Sequence, residues 1–201
     1  MTPHQYDTDV WTVEGILTAD ECAQFVAHSE TAGFEAATVA LRSGAQLLTD
    51  LRNNDRATVD DNDLAAVLWK RVEPFVPKTM DGYAATGLNP HFRFYRYEPG
   101  QQFKRHLDGW VYLPTGEVSR LTLLFYLNDE CGGGDTVFGN WGFSKGKSIE
   151  PPIRITPTTG TALFFRHEIW HEGAPVTEGR KYVLRTDVLY AGDGLQHAIS
   201  G

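Results

Sequence analysis

The chain has 201 residues, 41% of them hydrophobic and 22% charged, with a formal net charge of −8. This is the composition of an ordinary globular protein, long enough for one domain with a full core. The acidic balance argues against a nucleic-acid partner, which selects for a basic surplus on some face. No apolar run approaches the length of a membrane span, so no membrane association is expected.

Met1–Asp7 has neither the basic nor the apolar segment of a secretory signal. Cys22 and Cys131 are too few for a disulfide framework and read as free thiols of a reducing compartment. The cytoplasm is the expected location.

In chain order, Thr18-Ala19-Asp20-Glu21 is a capping box and predicts a helix start. Cys22, Phe25 and Val26 supply its apolar stripe, and Gly33 ends it. A second helix is predicted from Asp60 or Asp61, with Leu64, Val67, Leu68 and Val72 at helical spacing and Pro74 and Pro77 closing it. After Asn89 the pattern changes to short strands, expected near 91–97, 103–107, 119–127, 135–138, 152–156, 161–166, 170–176 and 181–190. Many short strands between turns indicate an antiparallel sandwich or small barrel. The long, aromatic, Gly-rich loop within 139–150 reads as either a lid or a plain connection.

The chemistry-bearing residues lie in this second part. His106-Leu107-Asp108 suits a strand end, where residues i and i+2 project to one side. With a distal histidine, His171, the set is two imidazoles and one carboxylate, which can occupy one face of an octahedral Fe(II). Alone, His-x-Asp is a weak signal, and Asp108-Gly109 also reads as a turn. His167-Glu168-Ile169-Trp170-His171 spells the H-E-x-x-H pattern of zinc metalloproteases, which needs a helix. The strand-like run before it, and Gly173 and Pro175 after it, oppose that reading. In the last strand, Lys181, Val183, Arg185, Asp187 and Leu189 share one face, and Tyr182, Leu184, Thr186, Val188 and Tyr190 the other. An ammonium at Lys181, pointing inward, would be costly without an anion.

Taken together, His106, Asp108, His171, Pro175 and Lys181 resemble the pattern of the Fe(II)- and 2-oxoglutarate-dependent dioxygenases, in particular the prolyl 4-hydroxylase-like group. Phe92–Phe103 looks like the strand and turn that lead into His-x-Asp in that family, Leu121–Asp129 with Gly132–Phe138 after it also looks like the family, and the resemblance covers about residues 88–191. It implies a mainly β (α+β) fold: a double-stranded β-helix, or jelly roll, with N-terminal helices packed on one face. The single domain would then divide into a helical N-terminal support (1–88), a jelly-roll core (89–191) and a tail (192–201).

It further implies Fe(II) held by His106, Asp108 and His171, and 2-oxoglutarate held by Lys181 with hydroxyl help from Tyr97 and Tyr126. Ascorbate is the implied reductant. Thr136 and Thr122 are further candidates, and Arg185 is the alternate cation or a contact for a substrate carboxylate. Because Asp108 fills the position that a halide would need, hydroxylation is expected over halogenation. Arg93, Tyr95 and Trp110 are candidate substrate residues, and Arg52–Arg56 looks like a segment that approaches the site in hydroxylase relatives. The expected reaction is hydroxylation of a peptidyl or small, amino-acid-like substrate, possibly proline, with release of succinate and CO2. The rival outside enzymology is a jelly-roll binding module with a closed structural metal site.

Overall fold

The computed structural model describes residues 1–41, 44–46, 48–143 and 145–192. The tail expected from 192 onward lies outside the described residues beyond Gly192, as does Ser144 of the candidate lid. In chain order the elements begin with β1 (Thr2–Asp7), β2 (Val10–Glu14), α1 (Ala19–Ala32), β3 (Glu35–Ala36), β4 (Val39–Leu41), β5 (Gly44–Gln46), β6 (Asp55–Asp60) and α2 (Asn62–Val72). There follow β7 (Thr79–Met80), β8 (Tyr83–Leu88), β9 (His91–Tyr97), β10 (Phe103–His106), β11 (Val118–Tyr126), β12 (Cys131–Gly133) and β13 (Thr136–Phe138). The last are β14 (Ile153–Ile155), β15 (Ala162–Arg166), β16 (His171–Gly173), β17 (Val176–Gly179) and β18 (Lys181–Ala191).

The larger sheet runs β1-β2-β15-β11-β18-β9-β6-β3, with β8 also paired to β18. The smaller sheet runs β10-β16-β13-β14. Both are antiparallel, and together they make the jelly roll.

Each face of the larger sheet is buried by a different partner. Phe92, Phe94, Leu121, Leu123, Phe125, Tyr182, Leu184, Val188 and Tyr190 pack with Cys22 of α1 and Leu68 and Val72 of α2. The alternate residues Tyr95, Tyr97, Tyr126 and Val183 pack instead with Phe138 and Ile155 of the smaller sheet. Period-2 alternation along β9, β11 and β18 therefore assigns one set of side chains to the helices and the other to the space between the sheets.

Both helices start where their caps predict. Thr18 and Glu21 form the full capping box, and Gly33, at φ 85°, closes α1. Asp61 caps α2 by accepting from the Leu64 amide at 2.8 Å. Among the described residues no helix is long and apolar enough to cross a membrane.

Two expectations are corrected. Residues 1–88 are more than helical support: β1, β2, β6 and β8 all join the larger sheet. β1 is almost wholly exposed and β6 only half buried, so neither carries the alternation that marks a strand. The strand expected over 170–176 is two strands, β16 and β17, separated at Ala174-Pro175, where proline has no amide to give to a ladder.

Candidate active site

β10 ends at His106, which pairs in register with His171 at the start of β16. Asp108 follows two residues on, its amide donating to the His167 carbonyl at 3.1 Å. Ligand atoms of His106, Asp108 and His171 all lie within 4.8 Å of one another. The His106 Nε2 is 3.7 Å from Asp108 Oδ1, and the His171 Nε2 is 3.7 Å from Asp108 Oδ2.

On each ring Nδ1 faces a main-chain carbonyl, Lys104 at 2.8 Å for His106 and Ile169 at 2.9 Å for His171. A carbonyl only accepts, so each Nδ1 carries the proton and each Nε2 keeps a free lone pair. Burial lowers both imidazole pKa values and keeps the rings neutral. Burial opposes ionisation of Asp108, but Arg185 and the two imidazoles hold its carboxyl well below the usual range. Two neutral imidazoles and an ionised carboxylate suit a divalent cation, and this donor set could hold Fe(II) with positions left open. Among the described residues the cluster has these three members and no fourth.

Asp108 is held from two directions. Arg185 Nη1 lies 2.8 Å from Oδ1, and the Thr122 hydroxyl donates to Oδ2 at 2.5 Å. Behind Thr122 lies a buried chain. Thr122 Oγ1 is 2.9 Å from His167 Nδ1, His167 Nε2 is 2.9 Å from Ser119 Oγ, and the Val111 amide donates to Ser119 Oγ at 2.8 Å. The protons can run only one way. Thr122 spends its proton on Asp108, so His167 Nδ1–H donates to Thr122 and Ser119 donates to His167 Nε2. Both His167 nitrogens are thus engaged, and residues 167–170 form a turn rather than a helix, which removes the metalloprotease reading. Glu168 is half exposed and faces Arg166 at 3.5 Å.

A cavity of about 420 Å³, counted to its open mouth, adjoins the cluster. Lys181, Arg185, Tyr95, Tyr97, Thr122 and Thr136 all line it. Lys181 is 3% exposed. Its ammonium donates to the Gly134 carbonyl and lies 5.3 and 5.5 Å from the ring centres of Tyr97 and Tyr126. Gly134 has φ +72°, and a Cβ there would come within 3.0 Å of the Lys181 stem. Burial pulls the Lys181 pKa down to about 8, partly opposed by Asp135, and no carboxylate is in ion-pair contact with the ammonium among the described residues.

Burial pushes the Tyr97 phenol up to about 12, so it stays a donor. Tyr126 does not line the cavity; it donates to Thr136 Oγ1 at 2.7 Å and leaves the Thr136 proton free to serve the cavity.

The other candidates scatter. Tyr95 lines the cavity, whereas Arg93 turns to Asp187 at 3.1 Å. Trp110 is 42% exposed and lies beside the Arg120 guanidinium, outside the cavity wall. The Arg52–Arg56 segment does reach the site through Arg52, whose guanidinium is sandwiched between Tyr95 and Phe103, 4.4 and 4.5 Å from their ring centres. Phe103 in turn stacks on His106 at 3.5 Å. Sequence reasoning passed over Ser119 and His167 as a relay, and no local signal marks them. They meet Asp108 only because β11 and the turn before β16 pack together.

Residues 92–186 match the family profile of the 2OG-Fe(II) oxygenase superfamily. No curated protein matches the chain. Among solved structures, the chain resembles a prolyl hydroxylase from Trichoplax adhaerens in complex with a hypoxia-inducible-factor peptide fragment. The TM-score is 0.66 at 18% identity, over 96% of this chain and 87% of that one. It also resembles a Pseudomonas putida prolyl-4-hydroxylase, with TM-score 0.62, 17% identity, and coverage of 90% and 93%. The viral collagen prolyl hydroxylase of Paramecium bursaria Chlorella virus-1 gives TM-score 0.59 and 19% identity, over 92% and 97%. At these identities the likeness is one of fold.

Proposed function

We propose that this Fe(II)- and 2-oxoglutarate-dependent dioxygenase hydroxylates an amino-acid-like group, peptidyl or free, with release of succinate and CO2. The observation that carries the proposal is the convergence of His106, Asp108 and His171 at a cavity that also holds a buried ammonium with no carboxylate in ion-pair contact among the described residues. When bound, iron and 2-oxoglutarate supply the oxidising chemistry.

The chain's own residues do the rest. His106 and His171 offer Nε2 lone pairs oriented by main-chain carbonyls, and Asp108 offers a carboxylate oriented by Thr122 and Arg185. Lys181 holds the distal carboxylate of the cosubstrate, with Tyr97 and Thr136 as hydroxyl donors beside it. Aromatic walls from Tyr95, Phe103 and Phe165 limit water at the reacting end. Arg185, tied to Asp108, serves the carboxylate ligand ahead of any substrate.

The peptidyl form of the substrate draws support from the Trichoplax neighbour, a prolyl hydroxylase in complex with a peptide. The non-enzymatic reading requires a closed metal shell, and the three-member cluster favours an open one. Succinate formation from 2-oxoglutarate by iron-loaded protein, followed by a search for a gain of one oxygen atom in peptides and free amino acids, tests the proposal. Absence of Fe(II)-dependent succinate formation across all substrates would remove it.

A further inference from the structure

Arg52 is a buried charge that the chemistry above does not use. It is 4% exposed. Its Nε donates to the Asn54 side-chain oxygen at 2.7 Å. Its Nη2 is buried with no hydrogen-bond partner, and no carboxylate pairs with it among the described residues. Two partly buried arginines nearby have such partners, Arg185 with Asp108 and Asp187 and Arg93 with Asp187, whereas the half-buried Arg56 donates to the Thr38 hydroxyl at 3.1 Å. A guanidinium taken out of water without an anion is costly, and two aromatic faces offset only part of that cost.

The surroundings say where the missing anion belongs. The rings that sandwich Arg52, Tyr95 and Phe103, both line the cavity. Phe103 also lies against His106, which puts Arg52 just behind the wall at the metal end of the cavity, among the residues that line it but not itself one of them. Lys181 lies against Tyr97 instead. Tyr95 and Tyr97 are two residues apart on β9, so these stations are separated by roughly 7 Å along the strand.

The field around Tyr95 is positive. Burial should raise its phenol pKa, yet Arg185, Arg52 and Arg93 together hold it below the ordinary value. Two cations line the cavity, Lys181 and Arg185, against the single carboxylate of Asp108, before any metal is added. A divalent ion and a dianionic cosubstrate would cancel each other and leave that excess in place.

We infer that Arg52 anchors a carboxylate of the prime substrate, so that the enzyme selects an amino-acid-like molecule presenting a free carboxylate near the reacting carbon. The inference rests on the oxygenase reading of the cavity and adds the substrate's charge to it. A free amino acid and the C-terminus of a peptide both present this group.

The test uses protein loaded with Co(II) and 2-oxoglutarate, which binds without turning over. Calorimetry measures the affinity of the common L-amino acids and of proline-containing tripeptides with free C-termini, each beside its C-terminal amide. At least one acid should bind, with its amide roughly thirtyfold weaker or worse. Which set supplies that acid identifies the source of the carboxylate. Arg52→Gln should bring the acid down to the level of the amide and leave 2-oxoglutarate affinity unchanged. Should that variant fail to fold, Arg52→Lys decides: acid binding must weaken, because lysine lacks the planar fork, while amide binding holds.

Three results overturn the inference: no acid bound in preference to its amide, a preference that survives loss of the guanidinium, or an equal loss of 2-oxoglutarate affinity in the variant. Failure of the parent reading shows earlier in the same titration, as absent Co(II)-dependent binding of 2-oxoglutarate by the wild-type protein, and it overturns both.

Discussion

The two faces of strands β11 and β18 are both largely buried and chemically opposite. Toward the helices they present Leu121, Leu123, Phe125, Tyr182, Leu184, Val188 and Tyr190, a surface that needs nothing from outside the chain. Toward the cavity they present Thr122, Lys181, Val183 and Arg185. The first face stabilises the fold by removing apolar area from water. The second contains charges whose burial costs free energy, relieved within the chain where partners exist, as for Arg185 with Asp108 and Asp187. At Lys181 no carboxylate stands within ion-pair distance among the described residues, and the proposed cosubstrate would supply one. One strand thus does structural work on one side and binding work on the other, and substitutions on the two sides should separate stability from ligand affinity.

Leu184→Ala should break the helix-side face with the largest effect. The side chain is fully buried, so the cost in unfolding free energy should be about 2–5 kcal/mol. Chemical denaturation reads this, and the affinity of the remaining folded protein for 2-oxoglutarate should be unchanged.

Lys181→Met should do the reverse. Loss of a charge-assisted contact to a desolvated carboxylate should weaken 2-oxoglutarate at least about thirtyfold, while the ligand-free protein gains stability of ~1–3 kcal/mol at neutral pH. The sign follows from the lowered pKa. In the fold Lys181 loses its proton near pH 8, whereas in the unfolded chain it keeps it to about 10.5. The unfolded chain therefore binds more protons between those values, and stability should rise with pH across that window. Denaturation midpoints measured from pH 7 to 10.5 should show the rise in wild type and its loss in Lys181→Met.

The relay behind Asp108 sharpens the comparison on β11. Thr122→Val removes the hydroxyl at nearly constant shape and should weaken Co(II) or Fe(II) about 10–100-fold, whereas Thr122→Ser should retain most of the affinity. Weakening in Thr122→Ser with none in Thr122→Val would mean that the methyl group, and not the hydrogen bond to Asp108, matters. The smallest effect is expected far from the cavity: Thr18→Ala deletes half of the capping box and should cost about 1 kcal/mol of stability with no change in metal binding.

Legibility in the sequence follows the same division. From residue 91 onward, β9, β11, β15 and β18 lie within a residue or so of expectation, because turn residues bound each apolar run. β1 escaped because it is almost wholly exposed and β6 because it is only half buried, so neither carries a readable alternation. His106, Asp108, His171 and Lys181 stood out because short spacings carry them, and they do line one cavity. Thr122 is one of the weaker candidates in the sequence, since threonine is common in strands for propensity alone, and its contact to Asp108 appears only in three dimensions. Arg52 could be placed near the site from its segment, but its lack of an anion is a property of the packed structure. Trp110 follows the His-x-Asp-Gly turn directly in sequence, yet the chain turns it outward.

The central claim is that His106, Asp108 and His171 hold iron beside a 2-oxoglutarate gripped by Lys181. Its most direct test is anaerobic titration of the protein with Fe(II) and 2-oxoglutarate, followed by the weak visible charge-transfer band of the chelate. The wild-type protein should develop the band, Lys181→Met should need at least about thirtyfold more 2-oxoglutarate to reach it, and His171→Ala should not develop it. A band of wild-type intensity in His171→Ala, at the same 2-oxoglutarate concentration, would contradict the account.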